Sequence, residues 1–322
     1  MRTLLKIVLF LVVLLVVVAG AGVGYLFAKY PDVPPPENIS VVSTPERIAR
    51  GQYLSNHVSG CVICHSEPDF TKYGRPYKPE TFGAGGEFFG DEEGFAVYSK
   101  NITPAAIGNW TDGELIRAFT SGVSKDGTPL FPIMPYPRYA RLSREDIESI
   151  VAYIRTLKPI QHTVPERRLP FPLPLIVRTM PKPAAFRPIP SHTDKVAYGE
   201  YLTNAAVCAD CHTPTDDEGT PLPNREYAGG QEFKLPNGAI VRPANITPDA
   251  DTGIGTWTAE QFIDKFKAWE TTEPRVLTEA EQRENTIMPW MYYAGMTRED
   301  LGAIYAYLRT LKPVVNRFKK FN

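Results

Sequence analysis

Cys61-Val62-Ile63-Cys64-His65 recurs later in the chain as Cys208-Ala209-Asp210-Cys211-His212. Two thiols three positions apart on one helical turn can each form a thioether to one edge of a porphyrin. The His directly after the second Cys then takes one axial position on the iron, so C-x-x-C-H is the attachment signature of a c-type haem. The chain has four cysteines, and all four lie in these two pentapeptides. A four-thiolate zinc site or a pair of redox dithiols would also use C-x-x-C, but neither calls for a His after each pair. The reading is two covalently bound haems c (iron), attached at Cys61, Cys64, Cys208 and Cys211, with His65 and His212 as iron ligands.

The repeat extends well beyond the cysteines. Gly51-Gln52-Tyr53-Leu54 is echoed by Gly199-Glu200-Tyr201-Leu202, Gly85-Gly86 by Gly229-Gly230, and Asn101-Ile102-Thr103-Pro104 by Asn245-Ile246-Thr247-Pro248. Trp110-Thr111 returns as Trp257-Thr258, Ile133-Met134-Pro135 as Ile287-Met288-Pro289, and Arg155-Thr156-Leu157-Lys158-Pro159 as Arg309-Thr310-Leu311-Lys312-Pro313. The spacing between equivalents grows between Trp257 and Met288, which places an insertion of about seven residues in the charged stretch around Glu270 to Asn285. Two haem sites on one plan should take the second axial ligand from the same point of that plan, and thioether sulfur suits haem iron. Met134 and Met288 are in register; Met291 and Met296 align with Pro137 and Leu142. Met134 and Met288 are therefore the expected distal ligands. His57, His162 and His192 have no His counterpart in the other half and read as structural or surface residues.

Local signals divide the chain into an anchor at 1–29, a Pro-rich spacer at 30–43, a first domain at 44–159, a Pro-rich linker at 160–192 and a second domain at 193–322. Ile7 to Ala28 is apolar without a break. At about 1.5 Å per helical residue it would cross the roughly 30 Å hydrocarbon core of a bilayer, with Arg2 and Lys6 on the cytoplasmic side. Ala19-Gly20-Ala21 would also suit a signal-peptide cleavage site, but the apolar run continues past it, favouring an uncleaved anchor. Pro31, Pro34, Pro35 and Pro36 predict an extended spacer that lifts the globular part off the membrane. Thr44-Pro45-Glu46 predicts a helix start, with the helix running to about Asn56. Thr111 with Glu114, and Thr258 with Gln261, read as capping boxes. Ser143 followed by Asp146 predicts the start of a last helix ending near Leu157. The runs Asp91-Glu92-Glu93 and Asp216-Asp217-Glu218 read as solvated loops or a docking face for a basic partner. A formal net charge of −1 gives no electrostatic case for nucleic acid.

The order Gly-x-Tyr-Leu, C-x-x-C-H, Gly-Gly, Asn-Ile-Thr-Pro, Trp-Thr, Met-Pro-Tyr or Met-Pro-Trp, and a closing Tyr-x-Arg-Thr-Leu helix resembles class I c-type cytochromes. More narrowly it is similar to the multihaem cytochrome subunits of bacterial membrane-bound dehydrogenases for alcohols, aldehydes and gluconate, over about Glu46–Pro159 and Lys195–Pro313. Those subunits commonly hold three haems where this chain has two motifs, and the second half lacks the Ser-Gly-Val-x-x-Asp-Gly pattern of the first. The resemblance implies an all-α chain: an N-terminal transmembrane helix, then two tandem cytochrome c-like domains. In each, the first helix (Tyr53, Leu54; Tyr201, Leu202) crosses the last (Tyr153, Leu157; Tyr307, Leu311). It also implies that Asn101, Trp110, Asn245 and Trp257 stand near the haem propionates.

The function expected is single-electron transfer on the outer face of the cytoplasmic membrane, between a dehydrogenase or quinol-oxidising complex and an oxidase or soluble cytochrome. Partners would be membrane lipid and redox proteins, with the chain a subunit of a membrane complex and not itself an enzyme. The alternatives are a dihaem enzyme of peroxidase or thiosulfate-oxidising type, and an electron-carrying assembly subunit of a larger respiratory or photosynthetic complex.

Overall fold

The computed structural model describes residues 1–90, 94–216 and 219–322. The first element is α1 (Arg2–Lys29), an exposed apolar helix long enough to cross a membrane. The first half follows with α2 (Pro45–Tyr53), a π-turn (Leu54–Val58), the short turn α3 (Cys61–Cys64), the hairpin β1 (Phe88–Gly90) and β2 (Ala96–Tyr98), then α4 (Pro104–Ile107), α5 (Asp112–Ser121), α6 (Tyr136–Tyr139) and α7 (Arg144–Ile154). A single helix, α8 (Leu173–Arg178), lies in the connection. The second half has α9 (Lys195–Ala205), α10 (Cys208–His212), the hairpin β3 (Phe233–Lys234) and β4 (Ile240–Val241), then α11 (Ala259–Lys267), α12 (Glu279–Gln282), α13 (Trp290–Tyr293) and α14 (Arg298–Leu308).

The two hairpins correct the all-α expectation. The structure is mostly helical, but each half carries a two-stranded antiparallel pair after its Gly-Gly, with Phe88 opposite Tyr98 in the first and Phe233 opposite Val241 in the second. Alternating Phe, Val and Tyr in strands this short give too little periodicity to read against a helical background.

Caps follow sequence closely. Thr44 Oγ1 accepts from Arg47 N at the start of α2, and both Thr111/Glu114 and Thr258/Gln261 form reciprocal capping boxes. Helix α2 ends sooner than expected, at Tyr53, and continues as the π-turn. The cause is one extra residue: seven positions separate Leu54 from Cys61 and six separate Leu202 from Cys208. A single insertion into a helix is absorbed as a π-bulge.

The crossings of α2 with α7 and of α9 with α14 are set by glycine. A Cβ on Gly51 would stand 1.8 Å from the Ser149 carbonyl oxygen, and one on Gly199 1.9 Å from that of Ala303. Only a residue without a side chain lets the backbones meet this closely. Leu54, Ile147, Ile150 and Ile154 pack with Leu202, Leu301, Ile304 and Leu308 into one core that runs through both halves.

The halves meet across an approximate two-fold arrangement of hydrogen bonds. Tyr53 Oη donates to Asp300 Oδ2 (2.6 Å) and accepts from Thr297 N (3.1 Å). Tyr201 Oη donates to Asp146 Oδ2 (2.6 Å) and accepts from Ser143 N (3.1 Å). The start of α7 at Ser143 and Asp146 is as read from sequence, and these tyrosines add to it. The Ser143 hydroxyl accepts from Asp146 N, and a phenol of the opposite half bonds both Ser143 N and the Asp146 carboxylate. The second-half insertion is a further brace rather than a free loop. Tyr73 N donates to Arg275 O and Leu277 N to Thr71 O, while the Asn285 amide bridges Gly74 N and Lys72 O.

The spacer is extended as expected, but it does not lift the first half away. Ile39 and Val41 pack on the core, Val41 N donates to Asp112 Oδ2, and Arg144 pairs with Glu37 at 2.7 Å. Asp91-Glu92-Glu93 and Asp217-Glu218 lie outside the described residues; Asp216 opens a turn that its Oδ1 closes with Thr220 N.

Candidate haem sites

Both C-x-x-C-H turns start from a left-handed residue, Gly60 (φ 64°) and Val207 (φ 49°). This conformation swings the chain from the first helix of each half into the cysteine turn. Glycine adopts it freely, whereas a β-branched residue is held there only by its surroundings, a kind of strain that gathers at functional sites.

His65 Nδ1 lies 2.6 Å from the Lys100 carbonyl oxygen and His212 Nδ1 2.7 Å from that of Ala244. A carbonyl only accepts, so Nδ1 carries the proton and Nε2 keeps its lone pair for a metal. Burial pushes both imidazoles below their ordinary pKa, which keeps them in the neutral, ligating form. Lys100 and Ala244 each precede the Asn-Ile-Thr-Pro segment, so the same stretch orients the histidine in both halves.

The thiols face a cavity and burial pushes them up: Cys61 and Cys211 to about 11, Cys208 to about 12, and Cys64 likewise upward. A redox dithiol needs the opposite, a nucleophilic thiol lowered toward neutrality. Among the described residues no group of three or more His, Cys, Asp or Glu converges as a metal site, so the zinc reading finds no support either.

One continuous cavity of about 2210 Å³ reaches both cysteine turns, and Met134, Met288, Trp110, Trp257, Asn101 and Asn245 all line it. The cavity opens to the surface and its lining is mainly apolar. Two thiols, a neutral imidazole and a thioether at each end, within mainly apolar walls, fit a covalently held haem c.

The methionines sit on matching tight turns. Tyr136 N donates to Met134 O (2.8 Å) and Trp290 N to Met288 O (2.9 Å), with Pro135 (φ −80°, ψ 47°) and Pro289 (φ −82°, ψ 65°) between. These are inverse γ-turns centred on proline, which fix the methionine backbone. Met296 is 1% exposed and its counterpart Leu142 is fully buried, so that position belongs to the core. Met291 packs over Gly74 of the first half.

Asn101 and Asn245 are largely committed to backbone. Asn101 Nδ2 donates to Ile160 O and Asn245 Nδ2 to Val314 O, while each Oδ1 accepts from the Thr two residues on. At Asn245 the second amide hydrogen goes to Thr252 Oγ1, which leaves that amide no donor for a propionate. The asparagines thus tie the segment behind each histidine to the chain leaving the closing helix. Trp110 and Trp257 are half-buried on the cavity wall.

Of the other histidines, His57 is an interface residue: Nδ1 lies 3.0 Å from Tyr292 O, in the π-turn that the first half alone contains. His192 stacks on Tyr198 at 4.1 Å, and His162 lies beside Gly86 at the cavity wall.

Sequence reading missed a charged group between the two sites. Arg75 Nη1 pairs with Glu87 at 3.0 Å, and Glu87 is only 3% exposed. Its Oε2 has no partner among the described residues, and burial raises its carboxyl to about 7. Across the interface, Arg138 Nη2 reaches Asp210 Oδ1 at 2.6 Å, within the second cysteine turn itself. The signal was available: Glu87 follows Gly85-Gly86, where the other half has Gln231 after Gly229-Gly230.

Residues 196–312 match the cytochrome c family. Over 281 residues, 82% of the chain and 52% of the relative, it is 32% identical to the fructose dehydrogenase cytochrome subunit of Gluconobacter japonicus. It is 33% identical to the cytochrome c subunit of the quinone alcohol dehydrogenase of Gluconobacter oxydans over 69% of the chain and 46% of the relative. It is 31% identical to a diheme c-type cytochrome of Cereibacter sphaeroides over 59% of the chain and 64% of the relative. The chain spans about half the length of the two dehydrogenase subunits. With this similarity, and a histidine, cysteine and methionine set on each wall of one cavity, the chain belongs to the cytochrome c family and carries a haem c domain in residues 196–312.

Proposed function

We propose that this chain is a dihaem electron carrier anchored by α1, with its haem-bearing part on the outer face of the cytoplasmic membrane, serving as the cytochrome subunit of a dehydrogenase complex. Cys61, Cys64, His65 and Met134 hold one haem; Cys208, Cys211, His212 and Met288 hold the other. Residues 44–159 and 193–322 form the two cytochrome domains. When bound, haem supplies reversible one-electron exchange at its iron. The chain's own residues do the rest. The Lys100 and Ala244 carbonyls orient the two imidazoles, the γ-turns at Pro135 and Pro289 position the thioethers, and apolar walls keep water from the site.

The observation that carries this reading is the single cavity that reaches both cysteine turns. It brings both attachment turns to one mainly apolar cavity. Two thioether ligands in register give neither iron an open position, which favours a carrier over a catalyst. The relatives named as fructose and alcohol dehydrogenase subunits suggest a sugar- or alcohol-oxidising enzyme as electron donor. An oxidase or a soluble cytochrome would then be the acceptor.

Haem staining and a pyridine haemochrome assay on purified protein should give two haems per chain, and one after Cys61→Ala with Cys64→Ala. Optical redox titration should show two reversible one-electron steps at positive potential. Rapid carbon monoxide binding to the native ferrous protein would sink the carrier reading and bring forward the peroxidase-type alternative.

A further inference from the structure

The connection between the halves holds one helix, α8, none of whose residues lines the cavity. Arg178 near its end sits 4.4 Å above the Phe27 ring and donates from Nη2 to Phe27 O at 3.3 Å. Phe27 belongs to the last turn of α1, two residues before Lys29. The contact therefore fixes α8 at the level where the apolar helix ends. Tyr25 and Tyr30 flank the same level, as aromatic residues do at membrane interfaces.

Around this contact the segment turns apolar groups outward. Phe171 is 83% exposed, Ile176 44% and Met180 38%, while Val177 of the same helix is fully buried. Val177 holds the helix down and its neighbours face solvent. Residues 160–192 also carry five cations, Arg167, Arg168, Arg178, Lys182 and Arg187, against one carboxylate, Glu166. That is a sharp local excess in a chain whose net charge is −1. Arg168, Lys182 and Arg187 are exposed. Exposed apolar side chains with basic residues beside them, at the rim of a spanning helix, are the composition of an element that lies in an anionic lipid surface.

We propose that Pro170–Met180 is a second membrane contact, embedded at the headgroup level of an anionic bilayer beside the outer end of α1. The inference rests on the reading of α1 as a spanning helix. Its consequence is orientation. One helix lets the globular part swing about its end, whereas a second contact, in the segment that joins the halves, fixes the cavity's tilt to the membrane.

The test is carbene photolabelling from a lipid-dissolved reagent on the full haem-loaded chain. It would be run in vesicles of phosphatidylcholine with phosphatidylglycerol and in native membranes, with labelled residues mapped by mass spectrometry. Label is expected in both α1 and Pro170–Met180, at Phe171 and Ile176 in particular. Arg168→Glu with Lys182→Glu should lower the segment's label severalfold and leave that of α1 unchanged. Label in α1 with none in Pro170–Met180 overturns the proposal and leaves the anchor standing. Absence of label from both removes the anchor reading itself. Label in vesicles that disappears in native membranes assigns the face to a partner protein and also overturns the proposal.

Discussion

Gly51→Ala tests how the helix crossing is made. The added methyl would stand 1.8 Å from the Ser149 carbonyl oxygen and 2.8 Å from Tyr153 Cβ. An ordinary carbon–oxygen contact is about 3.3 Å. Helices α2 and α7 would have to part by roughly 1.5 Å, and the obstructing atom is backbone, so no rotamer change relieves it. Overpacking of this kind costs about 1–3 kcal/mol, set against a gain of up to about 1 kcal/mol for Ala over Gly inside a helix. The expected net loss is about 1 kcal/mol, and up to about 2 because the obstacle is backbone, seen as a drop of a few degrees in the midpoint of haem-loaded protein followed by circular dichroism. Gly199→Ala, 1.9 Å from Ala303 O, should behave alike. Gly302→Ala is the control: it lies within α14, and its nearest neighbour would be Ile263 Cδ1 at an unstrained 3.7 Å. There the helix-propensity gain stands alone, and the midpoint should rise. If Gly51→Ala and Gly302→Ala shift the midpoint in the same direction, the close-crossing argument is wrong.

Three further outcomes are expected. Glu87 has its folded pKa raised from 4.5 to about 7 by burial, so between those values the folded state binds the proton that the unfolded state has lost. Stability should therefore fall as pH rises from about 4.5 to 7, by up to roughly 3 kcal/mol; Glu87→Gln should flatten that slope in denaturant titrations and be the more stable protein at pH 8. Tyr53→Phe and Tyr201→Phe each leave a buried aspartate without its phenol donor, at a cost of about 1–3 kcal/mol. Tyr53→Phe should cost more, because Asp146 keeps a two-pronged Arg50 pair at 2.8 and 2.9 Å while the second half has Tyr198 in place of that arginine; equal losses by chemical denaturation would contradict this. Met134→Ala should lower the potential of one haem and remove its share of the near-infrared band of ferric methionine-ligated haem, leaving the other step of the titration unmoved.

Much of the fold was legible because its local signals agree with its tertiary structure. Thr44, Thr111 and Thr258 cap the helices they precede, and the repeat placed Met134 and Met288 on equivalent loops. What sequence did not reveal depends on contacts between segments far apart in the chain. Tyr53 and Tyr201 read as core aromatics of their own halves, and nothing local says that each hydroxyl closes a cap in the other half. The Glu270–Asn285 insertion reads only as a charged stretch, and nothing local says that its backbone pairs with residues 71–73. The spacer's prolines encode extension correctly and say nothing about Ile39 and Val41 packing on the core. The hairpins are too short for a period-two pattern to stand out.

The two halves also differ where it matters for direction. Identical surroundings would give two haems on one plan equal potentials and no preferred flow between them. The differences gather at the interface: Glu87 in the first half, paired with Arg75, against Gln231 in the second, Arg50 against Tyr198, and His57 in an extra π-turn against Ala205. Gln231 is neutral and its Oε1 accepts from Thr215 N and Oγ1, so it holds the loop after His212 without adding charge. Glu87 pairs with Arg75 through one carboxyl oxygen, and the other has no partner among the described residues. A carboxylate in low dielectric favours whichever neighbouring redox state is more positive. Ionised Glu87 is offset by the Arg75 guanidinium it pairs with, and protonating it leaves the Arg75 charge facing both cysteine turns. On the dihaem reading proposed above, the two reduction steps should therefore move relative to each other as pH crosses about 7, where Glu87 takes up its proton, and optical titrations on either side of that pH check it. The likeness of the two halves repeats one candidate ligand set, and the charged pair at their interface is where that likeness breaks.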